Sequence, residues 1–115
     1  MSLWKWNDVE LPITLSDADF QEKYENAFKK MEATETDLQK VGTLSSISKQ
    51  YCQMFYQLFD DIYGDGTGEK LFGGRKDVLE IDMAYDSWIK QCEKDAAEIN
   101  KKRASLHSKY KVGKK

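Results

Sequence analysis

YGDGTGEKLFGG, residues 63–74, holds five of the chain's seven glycines, with Asp65, Thr67 and Glu69 set among them. Such a stretch can cradle a phosphate, hold a calcium ion, or simply turn the chain. A calcium loop of the EF-hand type needs glycine at its sixth position and oxygen ligands around it. Placing Gly66 there puts Tyr63 at the third position and Phe72 where a bidentate glutamate belongs. A Walker-type loop needs a second glycine where Glu69 stands, and Ser or Thr where Leu71 stands. A dinucleotide fingerprint needs a strand before it and a third glycine in register, and both are missing. Turn chemistry fits every position. Gly64 ends a helix, Asp65-Gly66 is a turn pair, and Thr67 caps one short helix over 68–72 that drops Leu71 and Phe72 onto the core. Gly73-Gly74 then release the chain into another helix.

If 63–74 is a connector, the flanks are helices. Upstream, Ser45 and Ser46 offer an N-cap, and Ile47, Tyr51, Cys52, Met54, Phe55, Leu58, Phe59 and Ile62 make a wide apolar face over 45–63. Downstream, Asp77 caps a helix over 77–110 whose broad face of Val78, Ile81, Tyr85, Trp88, Ile89 and Cys92 narrows beyond Ile99 to Leu106 and Tyr110. Its final turns should therefore project from the core. Before both, Ser16 offers a cap for a helix over 17–41 carrying Phe20, Tyr24, Ala27, Phe28 and Met31.

Residues 4–15 instead alternate. Trp4, Trp6, Val9, Leu11, Ile13 and Leu15 are apolar, with Lys5, Glu10 and Thr14 between them, and Asn7-Asp8 tolerates positive φ. This spells a β-hairpin, with Pro12 confining the second strand to an edge. A lone hairpin is marginal in water, so it must pack on the helices or on another subunit. The expected architecture is mainly α: one domain over 1–115, three helices in a single arrangement, an N-terminal hairpin, a short helix in the connector and a basic tail at 111–115. The expected core is Phe20, Tyr24, Phe28, Met31, Tyr51, Met54, Phe55, Leu58, Ile62, Leu71, Phe72, Ile81, Tyr85, Trp88 and Cys92.

Charge is unevenly spread. Residues 1–99 carry 11 basic and 20 acidic side chains, a balance of −9, whereas residues 100–115 carry seven basic side chains and no acid. A basic end suits nucleic acid or an acidic partner; equally, cations favour a helix C-terminus. No apolar run approaches the length of a membrane span, and no secretory signal is visible, so a membrane partner is not expected and a cytoplasmic setting is. Cys52 and Cys92, forty residues apart in apolar helical stretches, read as buried thiols. With one histidine, His107, in the basic end, neither a metal site nor a nucleophile–histidine pair is expected. Asp60-Asp61 and Asp82-Asp86 read as solvated pairs. No catalytic residue, metal or cofactor is anticipated.

The run FDDIYGDGTGEKLFGG resembles the central signature of small tail-module proteins encoded in tailed phages and prophages of Firmicutes. The residues that carry the likeness are Phe59, Asp60, Asp61, Ile62, Tyr63, Gly64, Gly66, Thr67, Lys70, Leu71, Phe72 and Gly73, with Asp17-Ala18-Asp19 and Lys23–Ala27 upstream. The likeness covers about residues 8–100 and leaves out the basic end. It implies a role in tail morphogenesis through protein contacts, in the manner of a tail assembly chaperone, with a tail or tape-measure protein, or a second copy of the chain, as partner. It brings no catalytic residue. Candidate partner-binding residues are Trp4 and Trp6 on one hairpin face and Lys101, Lys102 and Arg103 on the projecting helix. The tryptophans have a second reading, as side chains folded onto the helices. The alternative function is nucleic-acid binding by the basic end, the less favoured partner.

Overall fold

The computed structural model describes residues 2–38 and 42–112. Among them the chain is mainly helical. Strands β1 (Ser2–Trp6) and β2 (Val9–Ile13) precede helices α1 (Ala18–Leu38), α2 (Leu44–Tyr63), α3 (Thr67–Phe72) and α4 (Val78–Val112). The expected fold class and element order hold. The expected end of the first helix, residues 39–41, lies outside the described residues, as does 113–115 of the basic tail. The helix caps shift slightly from expectation. Asp17, rather than Ser16, accepts the Phe20 N–H at 3.2 Å, and Thr43, rather than Ser45 or Ser46, accepts from Ser46 N. Asp77 caps α4 as expected, through Glu80 N at 3.0 Å.

The hairpin pairs antiparallel, Trp4 opposite Leu11, around Asn7 and Asp8, both at positive φ. This is the geometry that matches the twist of a two-residue loop. Alternation puts Trp4, Leu11 and Ile13 in the core, while Leu3, Lys5, Glu10 and Pro12 face out. The hairpin lies along α4 and is tied to it at three heights. At the tip, Asn7 Nδ2 donates to Glu80 Oε2 and to the Leu71 carbonyl, each at 2.9 Å. In the middle, the Trp4 indole N–H donates to Ser87 Oγ at 3.0 Å. At the root, Ser2 Oγ and Leu15 N donate to the two oxygens of buried Asp95. Positions 80, 87 and 95 are two helical turns apart each time, so they share a face. A hairpin too small to stand alone is stabilised by that face.

The glycine connector determines helix direction. Tyr51 bonds Asp82, Phe55 packs on Tyr85 at 4.8 Å and Phe59 on Trp88 at 5.4 Å, so α2 and α4 run the same way. To start α4 beside the first half of α2, the chain must double back, and α3 carries it. Asp60 Oδ1 accepts from Gly68 N at 2.8 Å, Tyr56 packs on Phe72 at 5.3 Å, and Tyr56 Oη donates to the Arg75 carbonyl at 2.6 Å. Gly68 sits so close to α2 that an added Cβ would meet Tyr56 Cα at 2.8 Å. Asp60, read as solvated, thus caps α3 from another helix, while Thr67, expected as the cap, is the first helical residue and donates to the Gly64 carbonyl. Gly66, at φ 92°, holds the cap position in a conformation that side chains resist.

The core lies where the hairpin, α2 and α4 meet, with Phe59, Phe72, Trp88 and Ile13 at no measurable exposure. Ten of the expected core residues are buried, and Trp4, Phe59 and Asp95 join them. Tyr24, Phe28, Met31, Tyr51 and Tyr85 are instead half-buried and packed against the core. The reason is that α1 lies along the edge of α2 and α4, so its aromatic rims reach water.

Candidate partner-binding surface

α4 is 35 residues long, about 52 Å at 1.5 Å per residue. Its first part, to Ile99, buries one side against the rest of the fold; residues 100–110 are all exposed. The molecule is correspondingly elongated, 65 × 31 × 22 Å. Lys101, Lys102 and Arg103 stand on this projection, and none forms an ion pair with another described residue. The core-facing stripe of Cys92, Ala96 and Ile99 continues along the projection as Leu106, 49% exposed, and Tyr110, 71% exposed. At its base a shallow concavity of about 670 Å³ opens between Ser16, Asp95, Ile99, Arg103 and Leu106. The projection is therefore both basic and apolar, and among the described residues no other element covers it.

The structure separates the two groups of candidate residues. Trp4 is 3% exposed, stacked on Phe59 with ring centroids 5.7 Å apart and planes 5° apart. It belongs to the core, the second of its two readings, and has no surface to offer a partner. Trp6 is half-buried and stacks on Trp4 at 6.2 Å. Neither lies near Lys101–Arg103, which α4 carries beyond the root of the hairpin. The strand alternation that placed both tryptophans on one face fits either reading; Ser87 and Phe59, which hold Trp4 in the core, lie more than fifty residues away.

A second concave surface went unseen in the sequence. Met31 and Leu38 of α1, Ile47, Tyr51 and Phe55 of α2 and Tyr85 of α4 line a groove of about 480 Å³, with Glu35 among them. The Tyr51 hydroxyl donates to Asp82 at its edge. Burial, followed by that bond, pushes the Tyr51 hydroxyl well above its ordinary value. The lining residues follow the helical periodicity of a core stripe, and only the position of α1 leaves them open.

Several other titratable groups hold the fold. Arg75 grips Glu80 with two parallel bonds, Nε to Oε1 at 2.9 Å and Nη2 to Oε2 at 2.8 Å. That grip, helped by Asn7, holds the Glu80 carboxyl down at about 2, and the Trp6 indole N–H adds a weaker pull from outside hydrogen-bonding geometry. Cys52 and Cys92 are buried and unpaired; burial, then the nearby Asp95 and Glu93, pushes the Cys92 thiol up to about 12. Among the described residues no group of three His, Cys, Asp or Glu side chains could hold a metal ion. No helix among them is long and apolar enough to cross a membrane.

No curated protein and no solved structure matches the chain. The profile of a family of unknown function, DUF6673, matches residues 7–115, and the chain belongs to that family.

Proposed function

We propose that this chain is a non-enzymatic protein-binding module that works in phage or prophage tail morphogenesis in the host cytoplasm, in the manner of a tail assembly chaperone. One observation carries the binding part: a continuous helix leaves the domain and presents a basic surface with an apolar stripe that its own fold does not cover. An exposed stripe on a helix with an ordered root is a common way to offer a groove-fitting face to another protein. The acids that could have served chemistry are committed to structure instead: Asp60 to Gly68 N, Asp82 to Tyr51, Glu80 to Arg75 and Asp95 to the hairpin root. The phage-tail setting rests on the resemblance alone, carried by residues 59–73 with Asp17–Asp19 and Lys23–Ala27 upstream.

The experiment is capture by the tagged full chain from an induced lysogen, with bound proteins identified by mass spectrometry. The expected result is a tail or tape-measure protein held by the wild-type chain and lost from Lys101→Glu/Lys102→Glu/Arg103→Glu. Capture without any tail component would remove the phage-tail role. Binding of DNA or RNA with the steep salt dependence of phosphate contacts would replace protein binding with nucleic-acid binding by the same lysines.

A further inference from the structure

We propose that the basic end of α4 docks, through Leu106 and Tyr110, into the Glu35-lined groove of a second copy of this chain, so that copies associate head to tail. The proposal rests on the protein-binding reading of α4 and is independent of the phage setting.

The two surfaces are complementary in charge and in kind. The stretch 100–112 carries Lys101, Lys102, Arg103, Lys109 and Lys111 and no acid, while the rest of the chain is strongly acidic. The groove is apolar, with Glu35 in its lining and Asp82 at its edge. An exposed leucine and tyrosine flanked by lysines match an apolar slot flanked by carboxylates. Two projections paired with each other would set like charges side by side, which disfavours a symmetric contact between them.

Position then excludes docking within one molecule. Leu106 lies 21 residues beyond Tyr85 on one unbroken helix, about 32 Å along its axis. A chain cannot fold its own projection back into its own groove without breaking α4. The same helix geometry places Ile99, Leu106 and Tyr110 within roughly 60° of Tyr85 around the axis. The giving and receiving surfaces therefore face the same side at opposite ends of the molecule. A second copy turned half a turn about the long axis and shifted along it can set its groove over the projection of the first. Such a contact uses different surfaces on the two partners, and it leaves one free groove and one free projection, so it propagates into a ring or an open filament.

Two full-length variants test it by sedimentation velocity. Lys102→Glu/Leu106→Asp damages the projection and keeps the groove; Glu35→Lys/Ile47→Lys damages the groove and keeps the projection. All four side chains are at least a third exposed or border solvent, and far-UV circular dichroism checks helicity. Should either double variant lose helicity, Lys102→Gln and Glu35→Gln replace it. The wild type should grow in mass with concentration at low salt and shrink as salt screens the contact. Each variant alone should associate at least about tenfold more weakly. Mixed in equal amounts, they should form a species of two copies and no larger one, because only one productive contact remains between them. A wild type that stays monomeric at hundreds of micromolar overturns the proposal, as does a variant that assembles like wild type or a mixture that stays monomeric. A monomeric wild type that still captures a tail protein leaves the proposed function standing and ends self-association. Assembly without tail-protein capture does the reverse.

Discussion

The two parts of α4 share a backbone and little else. From Val78 to Ile99 the helix has the hairpin on one face and α2 on another, and Ile81, Ala84, Trp88 and Cys92 are buried at 2% exposure or less. From Asn100 onward every described side chain is exposed. The first part is helical because tertiary packing requires it. The second has only local reasons to be helical: a root already nucleated by the first part, so that propagation avoids the nucleation cost, and lysines near a C-terminus where the backbone dipole favours cations. A helix end maintained at that marginal level, with an apolar stripe on it, makes sense as a contact element and contributes little to the domain's own stability.

The sharpest way to break this comparison is to empty the packed part. Trp88 touches Tyr24, Phe28, Phe59 and Tyr85 and donates its indole N–H to Tyr63 Oη at 3.1 Å. Trp88→Ala should cost about 3–5 kcal/mol in urea unfolding, since the cavity would lie between three helices that cannot all close on it. A cost under about 1 kcal/mol would mean that α4 is not packed as described. Next comes the hairpin root. Asp95→Ala strands the Ser2 hydroxyl and the Leu15 N–H, and should cost about 1–3 kcal/mol. Loss of near-ultraviolet tryptophan signal with α-helicity retained would locate the damage in the hairpin; full stability would show that Asp95 does not hold it.

A smaller effect sits at the other end of the packed part. Glu80 closes the hairpin tip onto α4, and its carboxyl lies at about 2 in the folded chain against an ordinary 4.5. A depressed value stabilises the fold above the ordinary one, and that contribution fades as the pH falls from 4.5 toward 2. Unfolding midpoints followed over that interval should fall more steeply for wild type than for Glu80→Gln. Parallel pH profiles would detach Glu80 from stability. The difference in exchange between the two proteins should not reach the 100–112 amides, because Glu80 is about 30 Å or more from that end along α4.

What the sequence disclosed follows from how far each signal reaches. The stripes of α2 and α4 repeat every three or four residues, the hairpin every two, and the turn chemistry of Gly64–Gly74 is local, so all were legible. The projection was legible too, because the stripe thins after Ile99 within one helix. The parallel course of α2 and α4 was not, because it depends on Gly68 pressing on Tyr56 and on Asp60 reaching across to cap α3. Asp95 carried no signal in the sequence, because its partners, Ser2 and Leu15, are 93 and 80 residues away. The groove was hidden for the opposite reason: Met31, Tyr51 and Tyr85 look like core in any helical reading, and only the edge position of α1 opens them.

The smallest expected effect is the most informative about the second part of α4. Leu106 is half exposed on a segment that no other described element covers, so Leu106→Ala removes little area buried against the rest of the fold. The change in unfolding free energy should stay within about 0.5 kcal/mol, the usual range for surface positions. Alanine is also the better helix former, so helicity of 100–112 should hold or rise slightly. Hydrogen exchange gives the local reading, with the amides of 81–95 opening only in global unfolding and those of 100–112 opening well below it. If Leu106→Ala instead costs as much as a core truncation, the projection folds back onto the domain in solution and the division of α4 into two parts is wrong. If stability is unchanged while association falls, Leu106 acts on a partner's surface and not on its own.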